Sequence, residues 1–468
     1  MIRIRLLLLL CVFTTKSYAQ YTNQTLSSKD FIQLVRTYHP VMKQATITVK
    51  KAEAAILAIQ GQFDPKLEFN LADKTLENSN YYTSQNPQLV LPTRIGADFV
   101  AGYNQLNGLR LNEDQTLGST FYLGVSMPLL KNLIIDKRRA ALQKAKQFVK
   151  MSDAEQRLMI NNILFESIEA YWFWLQQYEV LAVVKENVLI NKERLKLIVR
   201  AYNLGERAAI DTLEAHTQYL AFRTIEQQHI YELQAAELQL SQYLWNADGQ
   251  ASALPKNIAP LREWEQSETV LDTVVQYRYL VKDFNDNHPY LLMLNFKIEQ
   301  LKIERKLQFQ EYLPKVDLQF LSLNKQNKFV NTLEQSLRLQ NNYYVGLKVE
   351  MPLLLRKGRG EYKLAQLGID DAMLQRSRLS NEIQLKIKNY FFEYNVLNNQ
   401  KLLQTENVLY FKRLLQAEQQ KFLNGESSIF LVNARESKLL ESQIKLIEYK
   451  TKYFKTAYAI LWAAGVII

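Results

Sequence analysis

The chain has 468 residues and a formal net charge of +11, with 47 % hydrophobic and 22 % charged residues. Its 14 Gly and 10 Pro make up about 5 % of the chain, against roughly 12 % in average usage. So few helix breakers exclude a loop-rich or predominantly β protein. Beyond the N-terminal segment no run of about 18 apolar residues occurs, which excludes a bundle of transmembrane helices. The basic residues are dispersed, so no nucleic-acid-binding face is predicted.

Residues 1–19 are predicted to be an export signal. Two arginines precede an apolar block, and Ala19 ends a small-residue pattern of the kind that signal peptidase cleaves. Cys11 is the one cysteine of the chain and lies in this segment. The exported protein is therefore expected to lack disulfides and thiolate metal sites. Lipid attachment at Cys11 is an alternative, but the large residues at positions 8–10 disfavour it, because small residues are expected before a lipidated cysteine.

An internal repeat organises the rest of the chain. Three proline-containing segments occur twice in the same order, and each copy later contains a Gly-Glu turn and closes with a tryptophan. The paired segments are Tyr38-His39-Pro40 with Asn287-His288-Pro289, Phe63-Asp64-Pro65-Lys66 with Tyr312-Leu313-Pro314-Lys315, Met127-Pro128-Leu129-Leu130 with Met351-Pro352-Leu353-Leu354, Gly205-Glu206 with Gly425-Glu426, and Trp245 with Trp462. We predict one architecture used twice, at residues 20–247 and 269–468, joined by a linker at 248–268.

The hydrophobic period changes in the same order within each copy. A helical period comes first and continues after Pro40, and the period then falls to two, which indicates strands with one apolar and one polar face. The predicted β-hairpins occupy residues 66–128 and 315–352. A long helix and a return helix follow each hairpin. The stretch 74–93, rich in Asn, Ser and Tyr, is predicted to be an extended loop of the first hairpin.

The predicted lengths require more than one chain. The long helix of the first copy, residues 136–203, would span roughly 100 Å, which no compact monomer houses. Four amphipathic strands cannot close a barrel by themselves, because eight is about the minimum number. Several chains must therefore pool their hairpins around a shared lumen, and three chains would supply twelve strands. The predicted lumen-lining residues are Glu68, Asp317, Lys348 and Glu350.

In the order, duplication and spacing of these segments, the chain resembles the TolC family of outer-membrane efflux proteins over essentially its whole exported length. The resemblance implies a mainly α protein with a β portion. It implies a homotrimer in which long antiparallel helices form an α-helical tunnel across the periplasm. A twelve-stranded transmembrane β-barrel, with four strands from each chain, would continue that tunnel through the lipid of the outer membrane.

The same resemblance implies the exit duct of a tripartite efflux or type I secretion system. Such a duct docks by its tunnel tip onto a periplasmic adaptor, also called a membrane fusion protein, and onto an inner-membrane pump. The resemblance places the tip at the two glycine turns. The candidate adaptor contacts are therefore Gly205, Glu206, Gly425, Glu426, Ser427 and Ser428.

The resemblance further implies acidic residues at the constriction, six and nine residues after the second glycine. Leu431 and Ala434 occupy those positions here. The equivalent positions of the first copy hold Asp211 and Glu214, which lie on one helical face because they are three residues apart. We expect these two acids to line a gate, with Arg207 placed to form an ion pair with Asp211. The alternative is an ordinary solvated helix surface.

No catalytic, cofactor or metal site is predicted, and the chain is not expected to be an enzyme. His39 and His288 lack further ligands at metal-binding spacing, and their positions before prolines suit helix ends. The aromatic residues 171–174 are predicted to pack between helices. The alternative function class is a secreted or periplasmic coiled-coil scaffold or adhesin without a conduit. That class does not predict an amphipathic strand before each long helix.

Overall fold

The structure is a computed structural model that describes residues 25–108, 116–255, 257–267, 284–325 and 342–467. The predicted export signal and Cys11 lie outside the described residues, as does most of the first helix predicted for the second copy. Among the described helices, none has an apolar stretch long enough to cross a lipid bilayer.

Long helices account for most of the described chain. The two that follow the strands, α3 (Lys137–Asn203) and α7 (Arg356–Leu423), have 67 and 68 residues. Neither contains a proline, so their backbone hydrogen-bond ladders are not interrupted. In chain order the helices are α1 Ser28–Tyr38, α2 Pro40–Gln60, α3 Lys137–Asn203, α4 Ala209–Ser241, α5 Trp264–Ser267, α6 Pro289–Phe309, α7 Arg356–Leu423 and α8 Ile429–Ala464.

Two sheets are present in the described residues. Their strands are β1 Thr25–Leu26, β2 Lys66–Leu76, β3 Ser79–Pro92, β4 Asp98–Asn107, β5 Gly118–Pro128, β6 Ala259–Pro260, β7 Lys315–Asn324 and β8 Tyr343–Glu350. The larger sheet is antiparallel, with the strand order β2-β3-β4-β5-β7-β8, and the smaller one pairs β1 with β6 in parallel. The four predicted strands correspond to β2, β5, β7 and β8.

The prediction of four strands per chain is wrong, because β3 forms within the stretch 74–93 that was predicted to be a loop, and β4 forms directly after that stretch. Glu77 and Asn78 have φ angles of 52° and 58°, the left-handed backbone of a two-residue type I′ hairpin turn. This turn leads β2 directly into β3. Residues 66–128 therefore contain two hairpins instead of one, and a count of twelve strands in three chains no longer follows.

The chain forms two compact units, and each unit combines segments of both sequence copies. The first comprises Met1–Pro40, Leu164–Gln276 and Tyr390–Ile460. The second comprises Val41–Ile163, Tyr277–Asn389 and Leu461–Ile468. The duplicated sequence therefore does not fold as two separate halves.

Aromatic side chains form a buried cluster in the first unit. Trp172 stacks on Phe454 with ring centroids 5.3 Å apart, and Tyr171 stacks on Phe31 at 5.7 Å. The Tyr171 hydroxyl donates a hydrogen bond to the carbonyl of Leu26 at 3.0 Å. The predicted packing role is confirmed for Tyr171, Trp172 and Trp174, which are buried, whereas Phe173 is 38 % exposed.

The tryptophan that closes the second copy is held in the second unit. The indole Nε1 of Trp462 donates to Oδ1 of Asn162 at 2.8 Å, and Asn161 donates to the Trp462 carbonyl at 3.0 Å. Lys386 places its Nζ 3.6 Å from the centroid of the Trp462 ring. These contacts fix the end of α8 against the neighbouring helices of its unit.

Both histidines that precede prolines lie at helix ends, as predicted. His288 is the N-cap of α6, and its Nδ1 accepts a hydrogen bond from the backbone N–H of Tyr290 at 3.2 Å. His39 ends α1, where its backbone N–H donates to the Val35 carbonyl at 3.0 Å. Within the described ranges no group of three or more His, Cys, Asp or Glu residues is arranged to hold a metal ion.

The N-cap histidine should make stability depend on pH. Burial lowers the pKa of His288 to about 4, so below pH 6.5 the unfolded chain binds a proton that the folded chain excludes. Unfolding should therefore become easier by about 2 kcal/mol between pH 7 and pH 5. His288→Asn keeps a capping acceptor and should lose this dependence in chemical denaturation of the purified protein. The exposed His216→Asn is the matched control, and identical pH slopes in all three proteins would contradict the assignment.

Candidate functional site

The six-stranded sheet has one face, here called the apolar face, on which hydrophobic residues follow one another from strand to strand. The register places Leu67 opposite Leu89, Leu89 opposite Ala101, and Ala101 opposite Leu123. Side chains alternate along a strand, so these residues share one face. The same face continues through Val125, Phe320 and Val345.

The apolar face is not covered by other described residues. Leu67 is 81 % exposed and Phe69 63 % exposed on β2, and Leu347 and Val349 are 62 % and 63 % exposed on β8. Contiguous apolar surface of this kind marks a membrane or a protein partner.

The opposite face of the sheet, here called the polar face, contains a hydrogen-bonded network. Nε2 of Gln88 donates to Glu68 at 2.7 Å. The Tyr122 hydroxyl lies 2.8 Å from Oδ1 of Asn86 and 3.0 Å from Oε1 of Gln88, and donates to these acceptors. Tyr122 crosses over Gly102, where an added Cβ would lie 2.3 Å from the hydroxyl oxygen. The glycine therefore makes room for the tyrosine that links β5 to β3.

The four predicted lumen residues all lie on this polar face. Glu68 belongs to the network just described. Asp317 is directly opposite Lys348, and Glu350 is opposite Lys315, whose Nζ lies 3.2 Å from Asp317. The face is therefore polar and carries charges of both signs, whereas its lining of a lumen stays a prediction.

Two arginines at the start of α3 hold the turn between β3 and β4. The guanidinium of Arg138 donates to both carboxylate oxygens of Asp98, at 3.0 and 3.3 Å. Arg139 donates to the Ile95 carbonyl at 3.3 Å and to Asp136 at 3.1 Å. Asp136 in turn accepts the backbone N–H of Arg139 at 2.8 Å and so caps α3. The additional hairpin is thus tied to the helix that follows the sheet.

The two glycine turns have the same backbone structure. The N–H of Glu206 donates to the carbonyl five residues earlier at 2.9 Å, and the N–H of Glu426 makes the equivalent bond at 2.9 Å. Gly205 and Gly425 have φ angles of +76° and +79°. This pattern is a Schellman motif, whose left-handed residue favours glycine. Both glycines follow directly on the last turn of a long helix.

Each glycine turn exposes two apolar residues, one before and one after the glycine, and we call these four residues the tip pairs. Leu204 and Leu423 precede the glycines and are 66 % and 72 % exposed. Ile210 and Phe430 follow five residues after the glycines and are 58 % and 63 % exposed. The predicted adaptor contacts Gly205, Glu206, Gly425, Glu426 and Ser428 are also exposed, whereas Ser427 is half-buried.

Arg207 does not form the expected ion pair with Asp211 in the described structure. Its guanidinium donates to the Phe422 carbonyl at 3.2 Å and lies 4.2 Å from the centroid of the Phe422 ring. The Phe422 carbonyl also accepts the Gly425 N–H at 3.2 Å, and its second lone pair is available to Arg207 because this carbonyl lies in the last turn of α7. The aromatic face of Phe422 attracts the cation. Arg207 therefore links the first glycine turn to the end of α7.

The two predicted gate acids are half-buried on α4. Glu214 precedes Ala215, which packs in a hydrophobic cluster with Ile429 and Val432 of α8. The Oε2 of Glu214 is buried and has no hydrogen-bond partner among the described residues. Burial of a carboxylate oxygen without a hydrogen bond costs free energy. We therefore expect this oxygen to gain a partner in the assembled protein or in another conformation.

An acid that the sequence did not single out forms the most buried ion pair of the first unit. Arg194 donates through Nη1 and Nη2 to the two carboxylate oxygens of Glu436, each at 2.8 Å. The Glu436 side chain is 1 % exposed. In the second copy, an acid near the glycine turn is thus fully neutralised by a bidentate partner.

Solved outer-membrane channel structures share this arrangement of helices and strands. CusC, solved in a study of transmembrane channel formation, matches with a TM-score of 0.67 at 13 % identity, over 97 % of this chain and 96 % of that chain. The outer-membrane protein VceC of Vibrio cholerae matches with a TM-score of 0.65 at 14 % identity, over 94 % and 96 %. The CmeC outer-membrane channel of Campylobacter jejuni matches with a TM-score of 0.62 at 14 % identity, over 96 % and 90 %.

No protein-family model and no curated protein sequence matches the chain. The identities of 13 % and 14 % are low, so these likenesses establish the fold. The chain has the fold of outer-membrane efflux channels along nearly its whole length. The resemblance identified from the repeat pattern is confirmed at the level of the fold.

The buried ion pair yields a stability prediction. Glu436→Ala should lower the free energy of unfolding by about 3–5 kcal/mol, because it leaves the Arg194 charge buried and unpaired. Glu193→Ala removes an exposed partner of Lys196 and is the matched control, with no measurable change expected. Chemical denaturation of the purified proteins measures both, and equal midpoints would contradict a structural role for Glu436.

Proposed function

We propose that this chain, which has the fold of outer-membrane channels, is the outer-membrane exit duct of a tripartite efflux or type I secretion system. It conducts substrates passively from a periplasmic adaptor and an inner-membrane pump to the exterior. Its sheet lies in the outer membrane and most of its helices lie in the periplasm. The observation that carries this proposal is the exposed apolar face of a sheet whose other face is polar.

The two faces suit a wall between lipid and water. Side chains such as Leu67 and Val349 gain free energy by leaving water for hydrocarbon, at about 25 cal/mol per Å². The polar face, with Glu68 and Lys348, suits a hydrated lumen. A sheet with open edges is not tolerated in hydrocarbon, because unpaired backbone groups are costly there. We therefore propose that the protein is a homotrimer in which three copies share one barrel.

The helix tips suit docking onto the adaptor and pump. Both glycine turns end long helices and expose the tip pairs, which offer apolar anchors for a partner. Arg207 couples the two turns through Phe422. The unpaired oxygen of Glu214 supports a gate in which Asp211 and Glu214 change partners when the channel opens.

A coiled-coil scaffold or adhesin accounts for the long helices but leaves the apolar face of the sheet unexplained. A freely soluble scaffold would keep side chains such as Leu347, 62 % exposed, in water. The channel accounts for both features, and we retain it. The similar solved structures are channels, which favours a transport protein without catalytic activity.

The proposal is tested by locating the protein and removing its gene. We expect heat-modifiable trimers in outer-membrane extracts, and increased retention of exported compounds in cells that lack the chain. Reintroduction of the gene should restore export. A freely soluble periplasmic product, with unchanged retention in the deletion strain, would favour the scaffold.

Removal of the two predicted gate acids should change conduction. The double variant Asp211→Ala, Glu214→Ala removes six carboxylates from a trimer, so single-channel conductance in planar bilayers should rise or the preference for cations should fall. Glu206→Ala, an exposed acid in the nearby turn, is the matched control. Unchanged conductance and selectivity in the double variant would remove these acids from the gate.

Polar substitution at the tips should uncouple the duct from its partners. Leu204→Asp together with Leu423→Asp should reduce export at least tenfold without lowering the amount of trimer in the outer membrane, because an apolar contact with the adaptor is lost. Leu204→Met with Leu423→Met keeps the apolar surface and should retain export. Full export by the aspartate variant would show that the partner docks elsewhere.

A further inference from the structure

The outer strands of the sheet have edges that no described strand occupies. β2 pairs only with β3, and β8 pairs only with β7, among the described strands. Apolar residues on these strands are more exposed than those inside the sheet: Leu71 and Val349 are each 63 % exposed, whereas Leu89 and Leu91 of β3 are each 38 % exposed. An additional strand beside each edge would lower the exposed fraction of the apolar residues on the outer strands to that of the residues on the inner strands.

The two edges are complementary in direction. Neighbouring strands of the sheet are all antiparallel, and the sheet contains six of them. With an even number, β8 runs opposite to β2, so β8 of one copy and β2 of the next form an antiparallel pair when the copies are related by rotation. If this contact repeats until a barrel closes, the barrel contains a whole number of copies, and its strand number is a multiple of six.

The edges are also complementary in hydrogen bonding. Leu129 donates to the Val316 carbonyl at 2.7 Å in continuation of the β5–β7 ladder, so even-numbered β7 residues bond toward β5. Leu323 donates to the Asn342 carbonyl at 2.9 Å, so odd-numbered β7 residues bond toward β8. By alternation, even-numbered β8 residues bond inward, and Val349 and its alternate neighbours direct their N–H and C=O groups toward the edge that no described strand occupies.

The internal repeat supplies the register of the missing pair. β5 and β8 end in equivalent Met-Pro segments, and β7 and β2 begin in equivalent Pro-Lys segments. The observed β5–β7 ladder is thus the intramolecular counterpart of a contact between β8 and β2. In it Ser126 lies opposite Gln319. In the repeat, Ser126 corresponds to Glu350 and Gln319 corresponds to Asn70. The same register therefore sets Glu350 opposite Asn70.

We infer that β8 of one copy pairs with β2 of a second copy in the register that sets Glu350 opposite Asn70, and that three copies close an eighteen-stranded barrel. The inference rests on the proposed channel function and goes beyond it in strand number and register. The transferred register keeps both faces intact, because Val349 then lies opposite Leu71 on the apolar face. Glu350 and Asn70 meet on the polar face.

The additional hairpin is an integral part of this wall. Its strands β3 and β4 pair on both sides, and its turn is held by Arg138 on Asp98 and by Arg139 on the Ile95 carbonyl. Without this hairpin, β2 and β5 would be neighbours, and each chain would contribute four strands to the barrel. Since barrel diameter grows roughly linearly with strand number, eighteen strands give a barrel about half as wide again as twelve.

Disulfide trapping tests the register. In a Cys11→Ser background we would combine Asn70→Cys with Glu350→Cys, because a pair without mutual backbone hydrogen bonds has Cα atoms about 4.5 Å apart, within disulfide range. Oxidation of outer membranes should convert this variant to covalent trimers on denaturing gels. The matched control is Ala72→Cys with Glu350→Cys, because Ala72 lies two residues beyond Asn70 on the same face of β2. In the proposed register the two cysteines would be more than about 7 Å apart, so they should not cross-link.

Each alternative has its own signature. Cross-linking of the control pair instead would refute the register. Covalent dimers as the end product, with all thiols consumed, would show two copies and twelve strands. A monomer with a disulfide between its own edges would show that one chain closes by itself. Each of these results overturns the inference.

Strand number is measured separately by electron cryo-microscopy of the wild-type protein in lipid nanodiscs. A cross-section through the barrel should show eighteen strands, and twelve would overturn the inference even if the cross-link forms. Export by the same cells separates this inference from the proposed function. Normal export with twelve strands or another register leaves the channel proposal standing, whereas a soluble protein without export removes both.

Discussion

The structure depends on one constraint, which is that the six-stranded sheet has an apolar face and two strand edges without partners among the described residues. Its apolar face is uncovered, and its outer strands have edges unoccupied by any described strand. In water the apolar face is unfavourable, and in hydrocarbon the open edges are unfavourable. The proposed oligomer in the outer membrane would remove both difficulties together. The proposed oligomer and the proposed membrane location thus answer the same physical requirement.

The helical part shows how a duplicated sequence acquires different local chemistry. Both glycine turns use the same Schellman geometry, because the chain must reverse after the long helix of each copy. The acids near the two turns lie at different positions of the repeat, because Glu214 corresponds to Ala434 and Glu436 corresponds to His216. Glu436 is neutralised by Arg194, whereas Glu214 keeps an unpaired buried oxygen. The two turns therefore share a backbone and differ in charge, as expected if one copy supports packing and the other supports a gate.

Much of the fold could be predicted because the determining features are local. The scarcity of helix breakers indicated long helices, and alternation indicated β2, β5, β7 and β8. The hairpin of β3 and β4 was missed for a local reason as well. The turn at Glu77 and Asn78, which leads β2 into β3, lacks the usual glycine, and the residues around it are mostly polar, so the start of β3 resembled a loop. The alternation of Asn86 and Gln88 with Leu89 and Leu91 was the available signal.

The site residues divide in the same way. The sequence placed Glu68, Asp317, Lys348 and Glu350 on one face, because the two-residue period alone determines which side of a strand a residue occupies. It could not show that Arg207 would contact Phe422 rather than Asp211, since Phe422 is more than two hundred residues away.

By itself, then, the sequence determined the repeat, the order of helices and strands, and the chemistry of each face, because these depend on neighbours within a few residues. Only the tertiary structure decided the six-stranded order, the partners of Arg207 and Glu436, and the network around Tyr122. Those depend on strand pairing and helix packing between distant segments, where several arrangements satisfy the same local pattern and the free energy of the whole assembly selects among them.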